Sequence, residues 1–313
     1  MEFGLLVLLA LFCVGFAWAT HGFLSPFNLF AMTRTAAVNV LVGLAMMTVI
    51  VTGGLDLSIG AIGVSAAMAA GWLMQQAGLS APLGVAGGLA AGAALGLVNG
   101  VLIVRSRMHS FVVTLATMSI FFGAMIVLTR AQPFNGLPDG FTALGRIHWW
   151  RVVSPMLAVA LAAGAALQLL YRATPLGREM LAAGANARAA LLSGVDVARA
   201  IVMCHMLAGL LAAVAGLLLT IRNGAAIPAM AGNLGQDWLL PAFLGPVLGG
   251  ALLSGGRVSV PGAVLGSLLV TVLNSGLLLL HVGEFWVQFF LGVLLLGAVT
   301  IDKARRQIIL GLG

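Results

Sequence analysis

Apolar runs follow one another along almost the whole chain, near residues 3–20, 35–51, 58–75, 83–104, 111–129, 152–171, 199–222, 238–253, 258–280 and 285–301. A helix needs about 20 residues to cross the hydrocarbon core of a bilayer. The runs are close to that length. Short breakers separate them, among them Ser25-Pro26, Gly53-Gly54, Pro82, the Gln132–Gly140 stretch and Ser254-Gly255-Gly256. The pattern predicts an all-α polytopic membrane protein of about ten transmembrane helices, with residues 1–313 as a single transmembrane domain. A hydrophobic share of 61% excludes an ordinary soluble domain, which holds about 45–50%. The 42 glycines suit spans packed backbone to backbone. Ala17-Trp18-Ala19 resembles a signal-peptide cleavage site, but Met1-Glu2 supplies no basic start, so the first run is expected to be retained.

Charge is concentrated in one place. Arg172, Arg178, Glu179, Arg188, Asp196 and Arg199 crowd into residues 172–199. Lipid would penalise each such side chain by roughly 2.5 kcal/mol or more at mid-bilayer, so this stretch belongs in water. The net charge of +7 is spread between apolar runs, which points to positive-inside topology and not to nucleic-acid binding. With 172–199 inside, alternation puts Arg105, Arg107, Arg257, Lys303, Arg305 and Arg306 on the same side. Arg34, Arg130, Arg146, Arg151 and Arg222 then fall outside. Both termini are expected in the cytoplasm.

The 172–199 loop reads as two short helices. Thr174 caps the first and Pro175 takes its first turn, where a missing N–H costs nothing. Gly184 is expected in the left-handed conformation that stops a helix, and Asn186 caps the second, which ends at Ser193-Gly194. So carefully capped a loop, with small residues for close contact, suits a docking surface better than a solvated connector.

Few residues offer chemistry. Gly53–Gly60 and Gly249–Gly256 share two leading glycines, a Leu-Ser pair and a final glycine, and paired Gly-interrupted segments are the sequence sign of broken helices beside a transport pathway. Asp56, embedded between two apolar runs, is either a polar group on a substrate or proton path or part of a helix cap with Ser58. Arg257 is a candidate partner for it. Asn99, Thr114, Thr117, Ser119 and Asn274 either line a passage or bond neighbouring helices. The histidines, at 21, 109, 148, 205 and 281, have no metal-ligand spacing, and His205 reads as a helix-packing residue. Cys13 and Cys204 read as inert thiols. Lys303 is the one lysine, and it does not follow glycine, so no phosphate-binding loop exists here. The chain is expected to be no enzyme and to bind no cofactor or metal itself.

GREMLAAGANARAALLSGVDV at 177–197 resembles the cytoplasmic coupling segment of the ribose-type sugar ABC transporter permeases, through Gly177, Arg178, Ala182, Gly184, Asn186, Ala189, Ala190, Ser193, Gly194 and Val197. GGLDLSIG at 53–60 is similar to another segment of that family, as are FVVTLATMSIFFG at 111–123, SGGRVSVPGAVLG at 254–266 and LNSGLLLL at 273–280. The chain departs from the family at 236–246, a stretch this threading sets toward the outer mouth.

The resemblance implies a permease subunit of an ATP-binding cassette importer in the bacterial inner membrane, for a monosaccharide or similar hydroxylated solute. Its partners would be a cytoplasmic ATP-binding subunit that uses ATP and Mg, a periplasmic solute-binding protein and a second permease chain, all within membrane lipid. Gly177, Arg178, Glu179, Gly184, Asn186, Arg188, Ser193 and Gly194 would couple to the ATPase. Asp56, Ser58, Asn99, Thr114, Thr117 and Asn274 are the pathway candidates. The competing reading is a stand-alone proton-coupled secondary transporter that uses Asp56.

Overall fold

The computed structural model describes the backbone of residues 2–309 and the side chains of 2–300 apart from 284, 298 and 299. Lys303, Arg305 and Arg306 lie outside the described side chains. Helices occupy Glu2–Ala19 (α1), Pro26–Ile50 (α2), Ile59–Gln75 (α3), Ala81–Ser106 (α4), Ser110–Thr129 (α5), Asp139–Thr142 (α6), Pro155–Ala173 (α7), Pro175–Ala185 (α8), Ala187–Leu192 (α9), Val197–Asn223 (α10), Leu239–Leu248 (α11), Val260–Leu279 (α12) and Glu284–Ile309 (α13). The protein is an all-α polytopic membrane protein. Each expected apolar run corresponds to one helix, and among the described residues seven helices are long and apolar enough to cross a bilayer. The clear exception is α11. At ten residues it spans only about 15 Å.

Caps set the helix starts. Ser25, Ser154, Thr174, Asn186, Asp196 and Ser259 each accept a backbone N–H of the helix that follows. The centre of the bundle is α2, which packs on α7, α10, α11 and α12, while α10 packs on α2, α3 and α4. Glycine makes the tightest of these contacts possible. Gly84, Gly88, Gly92, Gly96 and Gly100 form one buried stripe along α4. A Cβ on Gly92 would sit 2.6 Å from the Gly209 carbonyl oxygen, and one on Gly96 would sit 2.2 Å from that of His205. Small residues at every fourth position let α4 and α10 meet backbone to backbone.

Two stretches of irregular backbone enter the bundle. One is the α2–α3 connection at 51–58; the other runs from 224 to 238, between α10 and α11. They meet where a Cβ on Gly60 would lie 2.2 Å from the carbonyl oxygen of Gly235. Gly60 follows Ser58, which bonds Asn99, and Asn99 lies about 10 Å along α4 from its end. Residues near 235 therefore reach well into the bundle. That corrects the placement of 236–246 toward the outer mouth: the stretch begins as a re-entrant loop, and α11 carries it on to the connection at 249–259. Non-helical backbone at this depth is tolerated only where protein buries it or it lines a cavity.

Candidate functional site

Local sequence builds the 174–196 segment almost by itself. The Thr174 hydroxyl accepts from the Gly177 N–H at 3.1 Å and donates to the Leu170 carbonyl at 2.7 Å. Asn186 ends α8 in extended backbone (φ −160°, ψ 99°), and its Oδ1 caps α9 by accepting from the Ala189 N–H at 3.0 Å. Gly194 takes the left-handed turn after α9 at φ +83°. Asp196 then caps α10 by accepting from the Arg199 N–H at 2.9 Å.

One expectation fails. Gly184 is not left-handed and does not stop α8; it lies inside the helix. Its missing side chain serves contact instead. A Cβ there would lie 1.7 Å from the Val51 carbonyl oxygen and 2.6 Å from the Gly256 nitrogen. The same Val51 carbonyl accepts the Gly256 N–H at 2.8 Å. Gly255 in turn comes so close to Gly53 that a Cβ would meet its nitrogen at 2.7 Å. So the two echoing glycine segments touch each other, and α8 lies across the seam. Gly177, Met180 and Ala183 are the buried residues of α8, and Arg178 is exposed. Glu179 is half-buried. Asn186, Arg188, Ser193 and Gly194 are exposed. So are Leu191 and Leu192, at 64% and 85%. Neither leucine is among the coupling residues expected from sequence. Their signal was an apolar pair closing a helix inside the most charged loop.

The α2–α3 connection is held from inside. Asp56 is fully buried; its Oδ1 accepts the Ser58 N–H at 2.8 Å and the Ser58 hydroxyl at 2.6 Å. Asn99 Nδ2 donates to the Ser58 hydroxyl at 2.7 Å. From α5, Ser110 accepts the Leu55 N–H at 2.9 Å and Thr114 accepts the Leu57 N–H at 3.1 Å. Asp56 thus caps the turn that opens α3, while the Ser58 side chain makes no cap bond to α3. The Asp56–Arg257 pair does not form. Asp56 Oδ2 is buried without a hydrogen-bond partner, and Arg257 is exposed.

Of the pathway candidates, the fold brings Asp56, Ser58, Asn99 and Thr114 into one network. Thr117 lies a turn further along α5, where its hydroxyl bonds the Thr114 carbonyl. Asn274 is elsewhere: its neighbour Ser275 bonds Asn28, near the start of α2. Ser119 on α5 stays outside the network, and His205 is buried with its Nδ1 3.0 Å from the Ile201 carbonyl. Among the described residues, no group of three or more His, Cys, Asp or Glu comes together as a metal site would require.

A family model described as "Branched-chain amino acid transport system / permease component" matches residues 28–299. The chain belongs to that family. It is 39% identical over 286 residues to the ribose import permease protein of Bacillus subtilis (strain 168), covering 90% of this chain and 87% of the relative. The ribose import permease protein of Escherichia coli (strain K12) is 33% identical over 287 residues, 89% and 86% of the two chains. The galactose/methyl galactoside import permease protein of Salmonella typhimurium is 32% identical over 325 residues, 97% and 94%. No solved structure matches the chain. The matched residues run from near the start of α2 into α13 and so include the glycine seam, the buried Asp56 network and the exposed α8–α9 segment.

Proposed function

We propose that this chain is the membrane-spanning subunit of an ATP-driven importer for a monosaccharide or similar hydroxylated solute. The observation that carries the proposal is the two-sided build of α8–α9. Its outer side offers Leu191, Leu192 and Arg188 to a partner, and its inner side rests at Gly184 on both glycine connections. A cytoplasmic ATP-binding subunit gripping 172–199 would move α8. Glycine contacts without intervening side chains would pass that motion to the α2–α3 and α11–α12 connections. The first of these leads into α3, whose Gly60 meets Gly235 of the re-entrant loop, where a passage opening by turns to each side would be controlled.

Gly177, Arg178, Glu179, Gly184, Asn186, Arg188, Ser193 and Gly194 form the coupling segment in this reading. The partner subunit uses ATP and Mg, and this chain hydrolyses nothing. A periplasmic solute-binding protein delivers the solute on the opposite side, and a second permease chain completes the pathway in the bacterial inner membrane. The names of the relatives, ribose and galactose/methyl galactoside import permeases, support a sugar as the solute. The bond between Glu2 and Ser259 at 2.6 Å supports an N-terminus on the coupling side. In this reading the positive-inside rule supports a cytoplasmic assignment of that side, and of the C-terminus with it.

The test is orientation and dependence together. A cysteine at position 192, in a variant lacking Cys13 and Cys204, should react with an impermeant thiol reagent only when the cytoplasmic face is open to it. Uptake of ribose or galactose into proteoliposomes should require ATP and an ATP-binding subunit. Labelling from the outer face, or proton-driven uptake by the chain alone that Asp56→Asn abolishes, would overturn the proposal.

A further inference from the structure

At the end of the bundle opposite α8, three arginines line one open cavity, and among the described residues no carboxylate pairs with them. The cavity, about 280 Å³, is lined by Phe30 and Arg34 of α2, Thr142 and Arg146 of the outer connection, and Arg222 and Asn223 at the end of α10, with Ile221 and two glycines between. Arg34 and Val51 are separated by about 25 Å along α2, so the cavity and the coupling seam lie at opposite faces.

The three guanidiniums are unequally engaged. Arg34 lies over the Phe30 ring at 5.4 Å and donates through Nη2 to the Arg222 carbonyl at 2.5 Å. That bond satisfies a carbonyl at the C-terminus of α10. It leaves Arg34 Nε buried without a partner. Arg222 donates through Nη1 to the Thr35 hydroxyl at 3.2 Å, and Arg146 and Arg222 are both exposed residues. Capping α10 takes only Arg34. It gives no reason for two further cations beside the first, since like charges in proximity repel. Among the described residues, none of the three is in an ion pair with an Asp or Glu.

We infer that this cavity is a binding site for a phosphate-class oxyanion. Guanidinium groups present planar, paired N–H donors that match phosphate oxygens and hold their charge at any physiological pH. An oxyanion there would relieve the repulsion between Arg34 and Arg222 and supply an acceptor beside Arg34 Nε. Two sources share this chemistry: free phosphate in the outer medium, and the headgroup phosphate of an anionic lipid in the outer leaflet. Arg34 and Arg222 stand at the outer limits of their apolar runs, at headgroup depth. Trp149 and Trp150 nearby are 46% and 85% exposed, as residues at that interface are.

The inference is independent of the solute and of the ATP-binding partner, so the purified chain suffices. Titration of the detergent-solubilised protein with sodium phosphate against sodium chloride at matched ionic strength should give a saturable signal for one site. Arg222→Gln and Arg146→Gln should each weaken it about tenfold or more, the loss expected for a charge-assisted hydrogen bond. Arg222→Lys, which keeps the charge and loses the paired donors, should fall between. For the lipid source, native mass spectrometry of protein from phosphatidylglycerol nanodiscs should retain one lipid in the wild type and none in Arg222→Gln. Saturation by phosphate with no retained lipid assigns the soluble source, and the reverse assigns the headgroup. Equal behaviour of wild type and all variants in both arms overturns the site. So does binding of a glutamate-rich peptide without any response to phosphate or lipid, which would make the cavity a dock for an acidic protein surface.

Discussion

The backbone N–H of Gly256 donates to the carbonyl of Val51 at 2.8 Å. One bond thus ties the connection that follows α2 to the connection that follows α11. Residues so far apart in the chain share a seam because Gly256 has no side chain and meets Val51 at its backbone carbonyl. Gly184 closes the seam from the α8 side, which makes a single glycine the meeting point of three segments.

Gly184→Val should abolish coupling without removing the protein from the membrane. Its Cβ would fall 1.7 Å from the Val51 oxygen, and because the obstacle is backbone, relief requires α8 to move as a body. ATP-driven uptake in proteoliposomes should fall by about tenfold or more, the scale of a 1–3 kcal/mol packing conflict. Gly123→Ala, which meets nothing within 4 Å, should leave uptake unchanged. Normal uptake by Gly184→Val would remove the seam from the mechanism.

Replacing both Leu191 and Leu192 by Glu should break attachment and spare the fold. Both side chains are exposed, so the melting of the isolated chain should change by no more than about 0.5 kcal/mol. Co-purification with the ATP-binding subunit should be lost. If the pair still co-purifies, α9 is not the grip.

Asp56→Asn and Asp56→Leu should differ. Asn keeps an oxygen to accept both Ser58 bonds, whereas Leu leaves the Ser58 N–H buried and unmatched, at about 1–3 kcal/mol. Thermal unfolding in detergent should rank the wild type close to Asn and well above Leu. Equal melting of Asn and Leu would show that these bonds do not hold the α2–α3 connection.

Gly96→Leu should destabilise the bundle more than any exposed substitution. The new side chain would be driven into the His205 carbonyl and Gly209 across the α4–α10 contact. A loss of about 1–3 kcal/mol or more is expected, read as a lowered unfolding midpoint. An unchanged midpoint would mean that α4 and α10 are less closely packed than the glycine stripe requires.

Much of this protein was determined by local sequence. Lipid admits apolar helices and rejects charge, so the runs read from composition became the helices, and the charged 172–199 stretch became the exposed one. Thr174, Asn186 and Asp196 set their helix boundaries through bonds to residues three positions away, which is why those caps were legible in one dimension. Only the tertiary structure decided what the glycines do. Gly184 was read as a helix stop because left-handed backbone is a local use of glycine, yet it serves a contact with Val51 and Gly256 from distant segments. The approach of 224–238 to Gly60, the gathering of Asp56, Asn99 and Thr114 without Asn274, and the three arginines around one cavity share that origin. Each depends on which helices become neighbours, and in a chain whose spans are all alike apolar, backbone-to-backbone packing settles that choice.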